Sequence, residues 1–214
     1  VGSLIQSSPV SSETSPSASE LQSMIDNAKI LFDLNMTDTN LTGMDWWGAD
    51  RATLQHLNGS LVFIGALNAP QLHSQYGLKV NEACIALVRF TEPQDFQYKA
   101  IAGNWDDADS ATWGLASGIV SYYHEAQNNF VTQPMAGYVL DEDRWYFAML
   151  WVNGPTTFTV RLWEKENPEV FTDRTFIMND NMYWTDRRWN CVLLVNNGTV
   201  EMSSYREIRF IPTP

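Results

Sequence analysis

The segment "GNWDDADSATWG", Gly103 to Gly114, crowds Asn104, Asp106, Asp107 and Asp109 into one short turn. Calcium takes hard oxygen ligands from carboxylates, amides and main-chain carbonyls, so these four residues are candidate calcium ligands. The spacing is not that of an EF-hand loop, which has a glycine at its sixth position and a glutamate at its twelfth. A solvated acidic turn is the alternative use of the same residues. Hydrolysis of a sugar bond would need two carboxylates aimed at it, one as acid and the other as base or nucleophile. The nearest clusters are "DED", Asp141 to Asp143, and Glu164 with Glu166. One precedes a strand-like run and the other follows one, the pattern of solvated element ends. The chain has no Gly-x-Ser-x-Gly elbow, and Cys84 and Cys191 lie in apolar runs where a thiolate is costly. A catalytic role is therefore not the leading expectation.

Aromatic binding fits the residues better. A sugar ring has an apolar face that stacks on tryptophan or tyrosine, while polar side chains and carboxylates take its hydroxyls. Trp105 beside Asp106, Trp163 near Arg161, and Trp184 are the candidate carbohydrate-binding residues. Trp46 and Trp47 beside Asp45, Trp113, and Tyr122 with Tyr123 are further aromatic positions. Core packing is the alternative for each. It is the expectation for Trp145 and Trp151, which lie in a run apolar on both faces of an extended chain.

Composition narrows the classes of partner. The 13 basic and 25 acidic residues give a net charge of −12, which repels phosphate backbones and anionic lipid surfaces. Nucleic-acid binding and membrane insertion are not expected, since no apolar run approaches the roughly 20 residues that span a bilayer. No block reads as a signal peptide, and the opening on Val1 in place of Met leads to the expectation of an upstream segment removed or omitted. Cys84 and Cys191 would be either an interstrand disulfide, kept only in an oxidising compartment, or two buried thiols. His56, His73 and His124 have no ligand spacing with them. Asn35, Asn40, Asn58 and Asn197 each begin an Asn-x-Ser/Thr sequon, and together with the serine-rich start they fit an extracellular or cell-surface protein.

The elements that must position these residues follow from periodicity. Residues 1–19, "VGSLIQSSPVSSETSPSAS", have the serine- and proline-rich composition of a tail or linker. Ser17 and Glu20 have capping-box spacing, and Leu21, Met24, Ile25, Ala28, Leu31 and Phe32 then recur at helical intervals, which predicts a helix over about 20–33. Beyond it come apolar runs separated by Gly, Asn, Asp and Pro, the grammar of an antiparallel sandwich in which 20–214 form a single domain. Within it "RWYFAMLWV" and "TFTVRLWE" flank Asn153-Gly154-Pro155 as a hairpin, and a last strand is expected from Glu207 in "EIRFIP".

Three strings in this order, "DWWGADRATLQHLNGSLVFIG", "RWYFAMLWVNGPTTFTVRLWE" and "MSSYREIRFIP", resemble the concanavalin A-like and laminin G-like jelly rolls over roughly residues 40–212. Arg206 stands where that superfamily usually has an acidic residue. The resemblance implies an all-β sandwich of two antiparallel sheets whose concave surface or rim commonly binds glycan. It also implies what to look for in an enzyme, because the glucanase branch carries Glu-x-Asp-x-x-Glu on one strand, and that motif is absent here. Fold does not determine function in this group. The expected function is a secreted or surface-displayed, non-catalytic module that binds a glycan or cell-surface polysaccharide or mediates adhesion. A structural subunit of a filament or surface layer, assembled as a homo-oligomer through the N-terminal tail, is the alternative, and a glycan-processing enzyme the third.

Overall fold

A computed structural model describes residues 15–47, 54–64, 71–74, 78–91, 99–100, 104–105, 111–116, 119–124, 129–134, 140–142, 144–155, 157–177, 189–195 and 199–212. The capping box predicted at Ser17 is formed. Glu20 N–H donates to Ser17 Oγ at 3.3 Å and Ser17 N–H donates to Glu20 Oε2 at 2.8 Å, so two of the orphan amides at the helix start are satisfied reciprocally. Helix α1 then runs over Ala18–Asp26 and stops at the Asn27 cap, well short of residue 33. Leu31 and Phe32 keep the helical period but belong to strand β1, Lys29–Asp33, which pairs antiparallel with β16, Thr199–Arg209. Pairing with a distant strand overrides the local period there.

The remaining strands build two antiparallel sheets. The first contains β3 (Leu54–Leu57), β4 (Ser60–Ile64), β6 (Glu82–Thr91), β12 (Trp145–Gly154), β13 (Thr157–Glu164) and β14 (Phe171–Ile177). Its order is β14-β13-β12-β6-β16-β4-β3, with β1 also on β16. The second contains β2 (Met44–Trp47), β5 (Gln71–Ser74), β7 (Lys99–Ala100), β8 (Asn104–Trp105), β9 (Ala111–Ala116), β10 (Ile119–His124), β11 (Asn129–Pro134) and β15 (Trp189–Val195). Its order is β11-β10-β9-β7-β15-β5-β2, with β8 also on β15. The β3–β4 turn puts Asn58 at φ 51° and Gly59 at φ 80°, the left-handed pair that a two-residue hairpin favours. The last strand is longer than expected and begins at Thr199, eight residues before Glu207.

Alternation along the strands separates two apolar clusters. Tyr146, Ala148, Leu150 and Val152 of β12 and Phe158, Val160 and Leu162 of β13 join Cys84, Ala86, Val88 and Phe90 of β6 in the core between the sheets. Met44, at the start of β2 in the second sheet, is buried in the same cluster. On the outer face, Ile85, Met149, Trp163, Ile208 and Phe210 form a second cluster beneath Leu21 of α1, with Met24, Ile25 and Ala28 packed against it. The run predicted to be apolar on both faces is thus covered on one by a sheet and on the other by a helix. Trp145 and Trp151 are only half-buried on that outer face, not enclosed in the core as expected. Trp151 meets Phe210 edge-on with ring centroids 5.0 Å apart, and Trp145 lies under the Arg89 guanidinium at 5.1 Å.

Candidate functional site

Arg161 and Trp163 project from β13 to the outer face of the first sheet. Trp163 stacks on Phe147 at 5.3 Å with 23° between the rings, and it is 5% exposed. Arg161 is 2% exposed, with its guanidinium 3.7 Å from the Phe171 ring centroid and its Nη1 donating to the main-chain carbonyl of Pro16. Asp173 Oδ2 lies 4.0 Å away on the neighbouring strand. Burial pulls the guanidinium below its ordinary pKa, opposed by the charges of Asp173 and Glu169. Ala18, Leu21, Gln22 and Ile25 of α1 close over this pair, leaving a cavity of about 10 Å³, room for roughly one water and not for a sugar ring. Arg161 and Trp163 therefore form a platform for the helix. As carbohydrate-binding residues they are corrected: a stacking platform needs an open face, and α1 covers theirs.

The two acidic clusters are brought together at the start of β12. Arg144 Nη1 holds both oxygens of Glu164, at 2.9 and 3.0 Å, and its Nε holds Asp141 at 3.2 Å. Those two charges raise the Arg144 pKa, that of Glu164 most. Glu164 is buried, unlike the solvated strand end expected of it, whereas Glu166 is exposed. One guanidinium thus engages both carboxylates at this end of the sheet. Asp143 lies outside the described residues.

Buried polar groups that sequence reasoning passed over sit on β6 and β16. Glu82 is 3% exposed and accepts from Arg209 Nη2 at 2.6 Å and from Lys79 N–H at 2.9 Å. Glu207, 1% exposed, accepts from the Tyr205 hydroxyl at 2.8 Å. The available signal was phase: each glutamate falls at an inward position of an alternating apolar strand.

The other sequence candidates fall in or near the second sheet. Trp105 ends β8 and is aligned with Trp189 of β15, and Asn104 with Asn190. Trp113 is aligned with Tyr122, and Thr112 with Tyr123, which in turn is aligned with Phe130. Asp45, His73 and Cys191 occupy one row across β2, β5 and β15. Asp106, Asp107, Asp109, Trp184 and Asn197 lie outside the described residues, as does the side chain of Cys191, while Cys84 is buried in the first sheet. Among the described residues no three His, Cys, Asp or Glu side chains are grouped to hold a metal ion, and no helix is long and apolar enough to cross a membrane. Asn35, Asn40 and Asn58 are exposed, and Asn35 Oδ1 accepts from both Thr37 N–H at 3.0 Å and Thr37 Oγ1 at 2.8 Å.

No family model matches the chain, and no curated protein matches it. Solved structures match at the level of fold. A protein of unknown function from Shewanella oneidensis MR-1 is similar at 12% identity and a TM-score of 0.57, over 94% of this chain and 99% of that one. A structure from work on endo-acting O-glycanases, expressed by human gut microbiota to initiate mucin breakdown, matches at 9% identity and a TM-score of 0.60, over 86% and 100%. The botulinum neurotoxin serotype D binding domain matches at 7% identity and a TM-score of 0.54, over 86% of this chain and 49% of that one. The chain thus spans about half the length of that toxin domain.

Proposed function

We propose that this chain is an extracellular, non-catalytic module of the concanavalin A-like type that binds carbohydrate through its second sheet. The observation that carries it is the distribution of the nine tryptophans. Trp145, Trp151 and Trp163 belong to the first sheet, whose outer face α1 covers, whereas Trp46, Trp47, Trp105, Trp113 and Trp189 lie in strands of the second. Indole rings supply the apolar faces on which sugar rings stack. Structural neighbours that include a toxin binding domain and a structure from O-glycanase work support a binding role. Asn104, Asp106, Asp107 and Asp109 stand as proposed calcium ligands beside Trp105.

The test is glycan-array binding by the full chain and by two variants. Trp105→Ala combined with Trp184→Ala should weaken binding at least tenfold at unchanged melting temperature, whereas Trp163→Ala should lower the melting temperature. Binding to no glycan on the array would overturn the proposal and favour the second reading, a structural subunit assembled through residues 1–19. That reading draws on the fixed point at which the tail meets the body, the Pro16 carbonyl on Arg161.

A further inference from the structure

Strand pairing in the second sheet gathers three reactive residue types that the chain keeps far apart. Asp45 of β2 is aligned with His73 of β5, and His73 in turn with Cys191 of β15. More than a hundred residues separate His73 from Cys191, so no spacing within the sequence reveals the row. The face these residues share follows from phase. Met44, one position before Asp45, is buried in the core between the sheets, and it is aligned with Ser74, which is fully buried and aligned in turn with Asn190. Alternation then places the next row, Asp45, His73 and Cys191, on the opposite, outer face of the second sheet. Cys84 belongs to the core, so the sheet itself stands between the positions of the two cysteines.

The order of the row is the order of a proton relay. An activated thiol needs a base beside it, and the base needs a third group to hold its ring, so the imidazole must stand between sulfur and carboxylate. Here the middle strand carries the histidine. Directly opposed residues of antiparallel strands have Cβ atoms about 4.5–5.5 Å apart, a spacing that suits proton transfer from one to the next. A shared metal ion fits the row less well. Asp45 and Cys191 are two strand spacings apart, about 10 Å, which is wide for two short side chains whose metal bonds are about 2 Å long. An apolar run makes a lone thiolate costly, but a neighbouring imidazolium offsets that cost and draws a thiol pKa down from about 8.5.

We propose that Cys191 is a nucleophilic thiol that forms mixed disulfides with low-molecular-weight disulfides, with His73 as its base and Asp45 as the residue that positions His73. His73 takes the thiol proton, and the Cys191 thiolate attacks one sulfur of the disulfide. The S–S bond breaks, and the departing thiolate takes up the proton from His73. One disulfide is consumed and one is formed, so no further oxidant is needed. The reaction is independent of glycan binding by the same sheet.

The test treats the reduced full chain with dithiodipyridine at pH 6 and follows the released thiopyridone by absorbance. Cys191 should react at least about tenfold faster than free cysteine, of which only about 0.3% is thiolate at that pH. Cys191→Ser should abolish this fast phase. His73→Ala should slow it at least about tenfold, and Asp45→Asn about threefold, with recovery in Asp45→Glu. A rate in the unaltered chain no faster than that of free cysteine would overturn the proposal, whatever the variants do. A fast phase that survives Cys191→Ser would overturn it as well, as would one unchanged in His73→Ala when circular dichroism shows that variant folded.

Discussion

The two sheets hold tryptophan in different settings. In the first, Trp145, Trp151 and Trp163 sit on strands of ten and eight residues whose ladders run through β6 and β16, themselves ten and eleven residues long. There each indole is tied by a ring or a guanidinium: Trp163 to Phe147, Trp151 to Phe210, Trp145 to Arg89. In the second, Trp46, Trp47, Trp105, Trp113 and Trp189 sit on strands of two to seven residues. Long ladders with interlocked aromatics are what a scaffold needs, since aromatic burial and backbone pairing accumulate along them. Short strands joined by frequent turns are the usual ground for recognition residues. In the first layer the residue type thus serves architecture, and the proposed binding role rests on the second.

The contrast is most exposed to failure at Trp163. Trp163→Ala should destabilise the fold by about 3–5 kcal/mol in denaturant unfolding, as truncation of a buried aromatic does, with no change in ligand specificity. A loss below 1 kcal/mol would mean that the first sheet does not depend on its indoles. Ser17→Ala should cost about 1 kcal/mol, because it removes the helix cap and loosens the cover over that sheet. Circular dichroism and Trp fluorescence of this variant would sharpen the comparison by separating closure of the helix from integrity of the sheet. The smallest effect is expected from acid. The hydrogen bond from the Ser17 main chain, and then that from its side chain, hold Glu20 below its ordinary value of 4.5. A carboxylate depressed in the folded state contributes stability above its unfolded pKa and loses it as pH falls through the folded one. The fluorescence of the helix-covered face should therefore begin to change only below about pH 4.5, and in Ser17→Ala this acid sensitivity should shrink.

What the sequence revealed and what it hid divide along the range of the interactions. Ser17 with Glu20 and Asn58-Gly59 are local devices, and each forms the cap or turn its residues imply, whereas Asn153 and Gly154, expected in the β12–β13 turn, belong to β12 itself, beside an irregularity in its ladder. The inward row Phe158, Val160 and Leu162 was equally readable from alternation. The end of α1 was not, because Leu31 and Phe32 answer to a strand some 170 residues away: Asp33 meets Arg206 across 173 positions. The misreading of Arg161 and Trp163 has the same origin. A strand face carrying Thr, Arg and Trp looks half-polar and open until a helix is laid over it, and Arg161 meets its partner at Pro16 across 145 residues. No pattern within β13 encodes that cover.

Strand β16 has a consequence for the order of events during synthesis. It lies between β6 on one edge and both β4 and β1 on the other, joining Arg209 to Glu82 across 127 residues. The β12–β13–β14 meander needs only neighbouring chain and can form early, whereas β1 and β4 have no place in the sheet until residues 199–209 have left the ribosome. Until then β6 also offers the unpaired edge that β16 will fill. Until β16 emerges, a nascent chain of this topology carries unpaired strand edges, so its yield should depend on chaperone occupancy more than its final stability would suggest.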